Sequence, residues 1–349
     1  MSYQKSPGLS YFVHLLGCML FICALAVQAA DETEASAKRG AITGGVMHEA
    51  PSWFKDSFLD IQEDVDEAAD EGRHVMLFFQ LNACPYCDRM LTESFEAEPL
   101  KSFIQENYDV IAINVKGDRE IAFNEDTSMI EKDLAEKLEV RATPAILFLN
   151  QENNAVVRVN GYRSPKRFQH ILSYVSSKSY ENSTLAEYME KNLEKDVYKL
   201  RDNKMFSDIN DLSSVKGPLA VIFEDSSCYD CDEFHDKLLA REDVQKEMEP
   251  FTVVRLDTDS ADEITDPDGN KTTAADWAKK VEMTYRPGVL IFDEGKLMRR
   301  MDSLLFSHHF KESFRYIGGG FYKTQDYSEY SEQRTEELLS SGVDINLGE

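Results

Sequence analysis

The chain has little basic charge for its length. Its 349 residues include 38 Lys and Arg against 64 Asp and Glu, which gives a formal net charge of −26 at pH 7. So acidic a surface argues against binding to nucleic acid or to anionic membrane surfaces, because these ligands carry the same sign of charge. We therefore expect no nucleic-acid partner.

Long apolar runs are missing after the first 30 residues. Before them, residues 11–27 form one apolar run, which follows the single charged side chain of Lys5 and ends in small residues ahead of Asp31. This pattern is typical of a signal peptide. We predict a signal peptide over residues 1–30 and a periplasmic or secreted protein. A retained membrane anchor is the alternative, since the run is borderline in length for a span.

Cysteine is also scarce, and its placement is informative. Of six cysteines, Cys18 and Cys23 lie in the predicted signal peptide, so cleavage would leave only two Cys-x-x-Cys motifs. An exported chain with only paired cysteines suits an oxidising compartment. The motifs predict thiol–disulfide exchange. They are Cys84-Pro85-Tyr86-Cys87 and Cys228-Tyr229-Asp230-Cys231.

The motifs belong to an internal repeat. Cys84 and Cys228 are 144 residues apart, Pro144 and Pro287 are 143 apart, and later tyrosines recur at 142. Such steady offsets predict a tandem duplication. We expect a first copy over residues 48–180, a helical linker over 181–204, a second copy over 205–335 and a flexible acidic tail over 336–349.

Both copies show the same order of apolar patterns, β-α-β-α-β-β-α, which predicts an α/β fold with a central mixed sheet flanked by helices. In the first copy we expect strands over 75–79, 110–115, 145–149 and 155–159, and helices over 88–106, 130–138 and 165–177. In the second copy we expect strands near 219–223, 251–256, 289–292 and 296–300, and helices near 232–247, 274–281 and 307–317.

A CxxC motif that opens a helix has a direct chemical consequence. The free backbone N–H groups and the helix dipole stabilise a thiolate on the first sulfur. That thiolate attacks a partner disulfide, and the second cysteine resolves the mixed disulfide. We predict Cys84 as nucleophile and Cys87 as resolving thiol, with Cys228 and Cys231 as the corresponding pair. We predict no cofactor and no metal.

These stretches resemble the thioredoxin superfamily. Within it they are most similar to SoxW-type periplasmic thioredoxins and to the C-terminal thioredoxin domain of the DsbD reductase. The matching residues are 78–80 leading to the first CxxC motif, 117–120 and 138–148. The resemblance implies two tandem thioredoxin-like domains in an exported thiol–disulfide oxidoreductase. It implies as partners exported proteins with disulfides and a membrane thiol-reductant transporter of the DsbD or CcdA kind.

The resemblance also implies a substrate-binding loop with a cis-proline that faces each CxxC motif. The loops are Thr143-Pro144 in the first copy and Arg286-Pro287 in the second. Together with the motif residues Pro85 and Tyr86, they are the predicted substrate-binding residues.

The chain departs from thioredoxin at one buried position. Thioredoxin has an acid–base Asp six residues before its first cysteine, where this chain has Phe78 and Ile222. We therefore expect neither copy to retain that acid–base group.

The second motif has an acidic surrounding. Negative charge near a thiol raises its pKa, so we hypothesise that Cys84 reacts faster than Cys228. Arg286 would offset part of this charge if it faced the sulfur, and we expect His235 to be a solvent-facing helix residue. The acidic residues are Asp225, Asp230, Asp232, Glu233 and Asp236.

Three other functions remain open from the sequence. The chain is compatible with a disulfide isomerase or chaperone, because CxxC spacing does not decide the reduction potential. It is also compatible with a non-catalytic binding protein that has structural disulfides. A zinc site is the third possibility, and it requires the two cysteine pairs to meet in space.

Overall fold

The fold repeats one set of helices and strands. The computed structural model describes residues 38–349, so the predicted signal peptide lies outside the described residues. Within residues 38–349, no helix has both the length and the apolar character needed to cross a bilayer. The first copy and its flanking segments contain β1 (Ile42–Thr43), α1 (Ile61–Asp70), β2 (His74–Gln80), α2 (Pro85–Met90), a π-helical turn (Leu91–Phe95), α3 (Leu100–Asn107), β3 (Tyr108–Asn114), β4 (Glu120–Asn124), β5 (Thr127–Ile130), α4 (Glu131–Lys137), β6 (Ala145–Leu149), β7 (Ala155–Asn160), α5 (Pro165–Ser176), a 3-10 turn (Ser179–Glu181) and α6 (Leu185–Asn192).

The second copy follows the same plan. It contains a 3-10 turn (Leu212–Ser214), β8 (Leu219–Glu224), α7 (Cys231–Glu233), a π-helical turn (Phe234–Leu239), α8 (Glu242–Met248), β9 (Thr252–Asp257), β10 (Glu263–Thr265), β11 (Lys271–Thr273), α9 (Ala274–Lys280), β12 (Gly288–Asp293), β13 (Lys296–Met301), α10 (Ser307–Gly318), a 3-10 turn (Phe321–Lys323), α11 (Tyr327–Ser340) and β14 (Ile345–Asn346).

Each copy is built on a four-stranded mixed sheet. The strand order is β3-β2-β6-β7 in the first copy and β9-β8-β12-β13 in the second. The first two strands of each sheet run parallel, and the remaining neighbours are antiparallel. This confirms the predicted α/β fold with two thioredoxin-like domains.

The central strand of each sheet is apolar on both faces, which explains its unbroken hydrophobic run. In β2, Met76 and Phe78 pack under α2 and α5, while Leu77 and Phe79 pack on the opposite face with α1 and α4. Because side chains alternate along a strand, such a run indicates a sheet covered by helices on both sides. The carboxyl end of this strand leads directly to the CxxC motif.

The helix predicted over 88–106 is interrupted. The chain forms α2 and then a π-helical turn, and α3 begins only at Leu100. Pro99 lies just before α3 and has no backbone N–H, so the earlier helix cannot continue through it. The hairpins β4–β5 and β10–β11 were not predicted, because their strands are only three to five residues long.

The linker and the tail differ from the predictions. The linker is helical only in α6, which ends where Leu193 adopts an extended backbone. In the predicted flexible tail, α11 extends to Ser340 and β14 pairs in parallel with β1. That pairing joins residues about 300 positions apart in the chain, so local sequence patterns contain no information about it.

Two phenylalanines in the first copy provide a test of this core. Phe78 is fully buried, with its ring centroid 5.2 Å from that of Phe95, whereas Phe58 is 100% exposed. We predict that Phe78→Ala lowers the free energy of unfolding by about 3–5 kcal/mol, because it leaves a cavity. Phe58→Ala is the matched control and should change it by about 0.5 kcal/mol or less. Denaturant titration measures both, and similar losses would contradict the described core.

Candidate active sites

The first CxxC motif opens a helix directly after the central strand. Cys84 is the N-cap of α2, and the backbone N–H of Cys87 donates to its Sγ at 3.1 Å. Pro85 takes the first helical position, where its missing N–H has no cost. Cys84 and Cys87 form a disulfide with a Cα–Cα distance of 5.2 Å. A thiolate on Cys84 would therefore meet a backbone donor already in place.

The second CxxC motif has a different relation to its helix. Cys228 and Cys231 also form a disulfide, with a Cα–Cα distance of 5.5 Å. However, the helix begins only at Cys231, so Cys228 lies in the turn before it. The two cysteine pairs are closed separately, and among residues 38–349 no group of three or more His, Cys, Asp or Glu side chains is placed to hold a metal ion.

The proline loops face the motifs as the resemblance implied. The peptide bonds Thr143-Pro144 and Arg286-Pro287 are both cis, which confirms that expectation. In the first copy the Thr143 hydroxyl lies 3.4 Å from Cys84 Sγ and donates to it, since a disulfide sulfur has no proton. Thr143 is therefore a direct contact of the predicted nucleophile.

Arg286 does not face the sulfur of the second copy. Its guanidinium donates to Asp225 at 2.7 Å and to the carbonyl oxygen of Met283 at 2.6 Å. Burial acts to raise the pKa of Asp225, but the Arg286 charge and hydroxyl donors outweigh it and hold that pKa well below its usual range. Arg286 thus neutralises a carboxylate in the segment that leads from β8 to the second CxxC motif.

The other acidic neighbours of the second motif are also paired. Asp230 accepts a hydrogen bond from the Tyr285 hydroxyl at 2.7 Å, and Asp232 and Asp236 both lie within 4 Å of Arg201. Glu233 pairs with Arg89 of the first copy. The uncompensated negative charge that the sequence suggested around Cys228 is therefore largely compensated in the fold.

A buried glutamate–histidine pair is linked to the second cysteine pair through Tyr198. Glu224 ends β8 on the same face as Ile222 and is fully buried, and His235 Nε2 lies 2.8 Å from its carboxylate. The Tyr198 hydroxyl donates to the same carboxylate at 3.3 Å, and its ring packs with Cys228 and Cys231.

This pair corrects one expectation, because His235 is 5% exposed and so does not face solvent. The thioredoxin Asp is absent from the second copy as expected, since Ile222 stands there, and Glu224 lies two residues after that position. A glutamate on the inward-facing side of an apolar strand was the available sequence signal. The first copy has Gln80 and Leu91 at the equivalent positions.

The two motifs lie at the contact between the copies. Tyr86 stacks on Phe306 of the second copy with ring centroids 4.4 Å apart, and its hydroxyl lies 2.9 Å from His309 Nδ1. Beside them, both terminal nitrogens of Arg89 donate to the Glu233 carboxylate, at 3.0 and 2.9 Å. Tyr86, predicted to meet substrate, is an interdomain contact in this structure.

Access to the two proline loops is unequal. Arg141 and Ala142 are exposed and Thr143 is half-buried, so the first loop has an open side. In the second loop, Tyr285 is 1% and Arg286 9% exposed. The sequence did not reveal this difference, because the covering side chains come from the other copy.

Loss of the Glu224 carboxylate should destabilise the second copy. Glu224→Leu would leave the buried His235 and Tyr198 polar groups without their acceptor, so we expect a loss of about 1–3 kcal/mol. Gln80→Leu at the equivalent position of the first copy is the control, with an expected loss of about 1 kcal/mol or less. Chemical denaturation measures both, and equal losses would contradict the role of Glu224 described above.

The interface should weaken in acid because His309 is neutral within it. Burial, with the neighbouring His308 and Arg299, lowers the pKa of His309 to about 4 from 6.5. The unfolded chain therefore binds the proton first, and this contribution to stability is complete above pH 6.5 and is lost as pH falls towards 4. We predict a shallower loss of unfolding free energy over that range in His309→Gln. Equal pH slopes in both proteins would contradict this.

Comparison with known proteins identifies the family of both copies. A family model of the thioredoxin-like domain matches residues 61–176 and 205–318. Comparison with curated protein sequences finds no match. Among solved structures, a thioredoxin-fold protein from Helicobacter pylori is 18% identical with a TM-score of 0.32, over 39% of this chain and 97% of its own.

Two further structures are similar to about a third of the chain. A thioredoxin from Thermus thermophilus is 24% identical with a TM-score of 0.28, over 34% of this chain and 85% of its own. The C-terminal domain of Neisseria meningitidis DsbD in the oxidised form is 12% identical with a TM-score of 0.24, over 33% of this chain and 90% of its own. Because the family model matches both copies and each has a CxxC pair, the chain belongs to the thioredoxin-like domain family as a tandem thiol–disulfide oxidoreductase.

Proposed function

We propose that the chain is a periplasmic or secreted reductant that reduces disulfides of other exported proteins through its first cysteine pair. The apolar segment 11–27 supports export. The observation that carries the choice of the first pair is the arrangement at Cys84. Its sulfur has a backbone donor and a hydroxyl donor, and its proline loop has an open side.

The reaction proceeds in two exchanges. The Cys84 thiolate attacks one sulfur of the partner disulfide, so that a Cys84–partner bond forms, the partner S–S bond breaks and the leaving sulfur takes a proton from water. Cys87 then loses its proton and attacks Cys84 Sγ. The Cys84–Cys87 disulfide seen in the structure forms, and the second partner thiol is released. Two electrons pass to the partner.

The chain's own groups assist the first exchange. The Cys87 N–H and the Thr143 hydroxyl both point at Cys84 Sγ and stabilise its negative charge. The open side of the proline loop, at Arg141, Ala142 and Thr143, is where an extended partner segment would pair with the backbone. Tyr86 is in contact with the second copy and Pro144 is buried, so Ala142 and Thr143 supply the partner contacts in this arrangement.

The cycle requires an electron donor outside the chain. The disulfide left on Cys84 and Cys87 must be reduced by a dithiol, and a membrane thiol-reductant transporter of the DsbD or CcdA kind is the donor that suits an exported protein. It would reach the same sulfur, since Cys84 is the more exposed cysteine of the pair, at 5% against 0% for Cys87.

A second candidate function is favoured by one observation. Cys228 is 2% exposed and Cys231 is fully buried, and their proline loop is covered. Burial of this kind is also expected of a structural disulfide, so the second copy could belong to a binding module while the first copy performs the exchange.

Trapping distinguishes the two functions. Without its resolving thiol, Cys87→Ser should retain exported partners as mixed disulfides on Cys84 that a reducing agent releases. Cys231→Ser is the matched variant in the second copy and should trap fewer partners, and Cys84→Ser/Cys87→Ser should trap none through the first copy. Mass spectrometry of the exported fraction identifies the adducts. A Cys87→Ser protein that captures no partner would contradict the proposal.

A further inference from the structure

The contact between the copies follows an internal two-fold arrangement. Arg89 and Glu233 occupy equivalent positions, 144 residues apart, and bind each other. Gly161 and Ser303 are equivalent at an offset of 142, and a Cβ on Gly161 would collide with the Ser303 hydroxyl. Contacts between equivalent residues lie on a two-fold axis. The copies therefore pack with their CxxC faces towards each other.

The two halves of this contact have different chemistry. Tyr86 of the first motif packs on Phe306 and His309. At the corresponding place in the second motif stands Asp230, which binds Tyr285 of its own proline loop. Arg163 and Arg167 of the first copy lie over the Tyr285 ring, at 4.8 and 5.5 Å from its centroid. The first copy thus covers the second proline loop.

The second cysteine pair is covered from another side by the linker. The backbone N–H of Val197 donates to Ser226 just before the motif, and the Tyr198 ring packs on the cysteine pair. Tyr229 within the motif donates to Glu194 at 3.3 Å. The linker thus packs on the cysteine pair itself, while the first copy covers the proline loop beside it, and Cys228 is 2% exposed.

We propose that the first copy masks the Cys228–Cys231 site in a closed arrangement, and that separation of the two copies exposes this site to protein partners. The second pair is then a latent exchange site, whose access is set by the population of the open arrangement.

Two features of the contact between the copies favour their separation. Among the described residues, the buried cores of the two copies are separate, and Leu304 is the one second-copy residue in the core of the first. A cavity of about 760 Å³ beside Pro85 lies between the copies, lined in part by Arg89 and Glu233. Relative motion of two domains in one chain is expected unless their interface is large and hydrophobic, and here the two hydrophobic cores do not merge.

A short strand pair joins the segment before the first copy to the segment after the second. β1 precedes the first copy, β14 follows the second, and they pair through Ile42–Ile345 and Thr43–Asn346. Isolated two-stranded pairs are marginally stable, and the nearby Arg39–Glu336 ion pair is exposed, so it adds little. We call this pairing the latch. Its loss would leave the linker as the only covalent or strand connection between the copies in the described part of the chain.

The test measures the access of the second cysteines directly. In Cys84→Ser/Cys87→Ser protein, after reduction, we would follow alkylation of Cys228 and Cys231 by a maleimide with mass spectrometry. Glu233→Arg places like charges at the interface, and Ile345→Asp puts a charge at a buried latch position. We expect each to accelerate alkylation about tenfold or more, because each removes contacts found only in the closed form.

Two matched controls separate opening from general damage. Glu249→Arg reverses an exposed charge of the second copy, and Val343→Asp adds a charge at an exposed position two residues before Ile345. Both should alkylate within about twofold of the parent protein. Fluorescence of Trp277, which is 2% exposed in the second core, must stay unchanged in every variant so that unfolding is excluded.

The outcomes are decisive in both directions. Slow alkylation in the parent and acceleration only in Glu233→Arg and Ile345→Asp would support masking. A parent protein alkylated as fast as its urea-unfolded form, or interface variants that match the parent, would overturn it. Alkylation reports access to thiols and not turnover, so failure of the proposed reductase function would leave this test intact.

Discussion

The arrangement of the two copies depends on the ion pair between Arg89 and Glu233, which forms where their CxxC faces pack together. These residues follow the two CxxC motifs at the same spacing, so a duplicated domain brings them together only if the motif faces meet. Charge complementarity at one duplicated position allows a self-contact that identical residues would oppose. The same packing places Tyr86 against the second copy and brings Arg163 and Arg167 over Tyr285.

Packing of this kind gives two equivalent motifs unequal surroundings. In the first copy the nucleophilic sulfur has a helix cap and the Thr143 hydroxyl beside an open loop. In the second copy the linker residue Tyr198 packs on the cysteines, and the first copy covers their proline loop at Tyr285. The same Tyr198 contacts the buried Glu224–His235 pair. Duplication followed by face-to-face packing therefore separates an open site from a covered site without changing the CxxC spacing.

The charges of the second copy illustrate how tertiary structure can change a prediction made from neighbouring residues in the sequence. From the sequence, the cluster of carboxylates around Cys228 predicts a raised thiol pKa, which disfavours the thiolate. In the fold, Arg286, Arg201 and Arg89 each take one or more of these carboxylates as a partner. Arg201 and Arg89 are distant in sequence from the motif, and their pairing was not readable from spacing. The burial of Glu224 could have been predicted from the sequence, because this residue continues the inward face of an apolar strand.

The sequence by itself determined the repeated α/β plan, the two CxxC motifs and the proline loops that face them. These features depend on hydrophobic periodicity and on fixed local spacing, which act over a few residues. Only the tertiary structure decided which motif is covered, that Tyr86 meets the other copy, and that β14 pairs with β1. Those outcomes depend on contacts between residues 100 to 300 positions apart, whose formation is governed by the packing of whole domains and not by local preference.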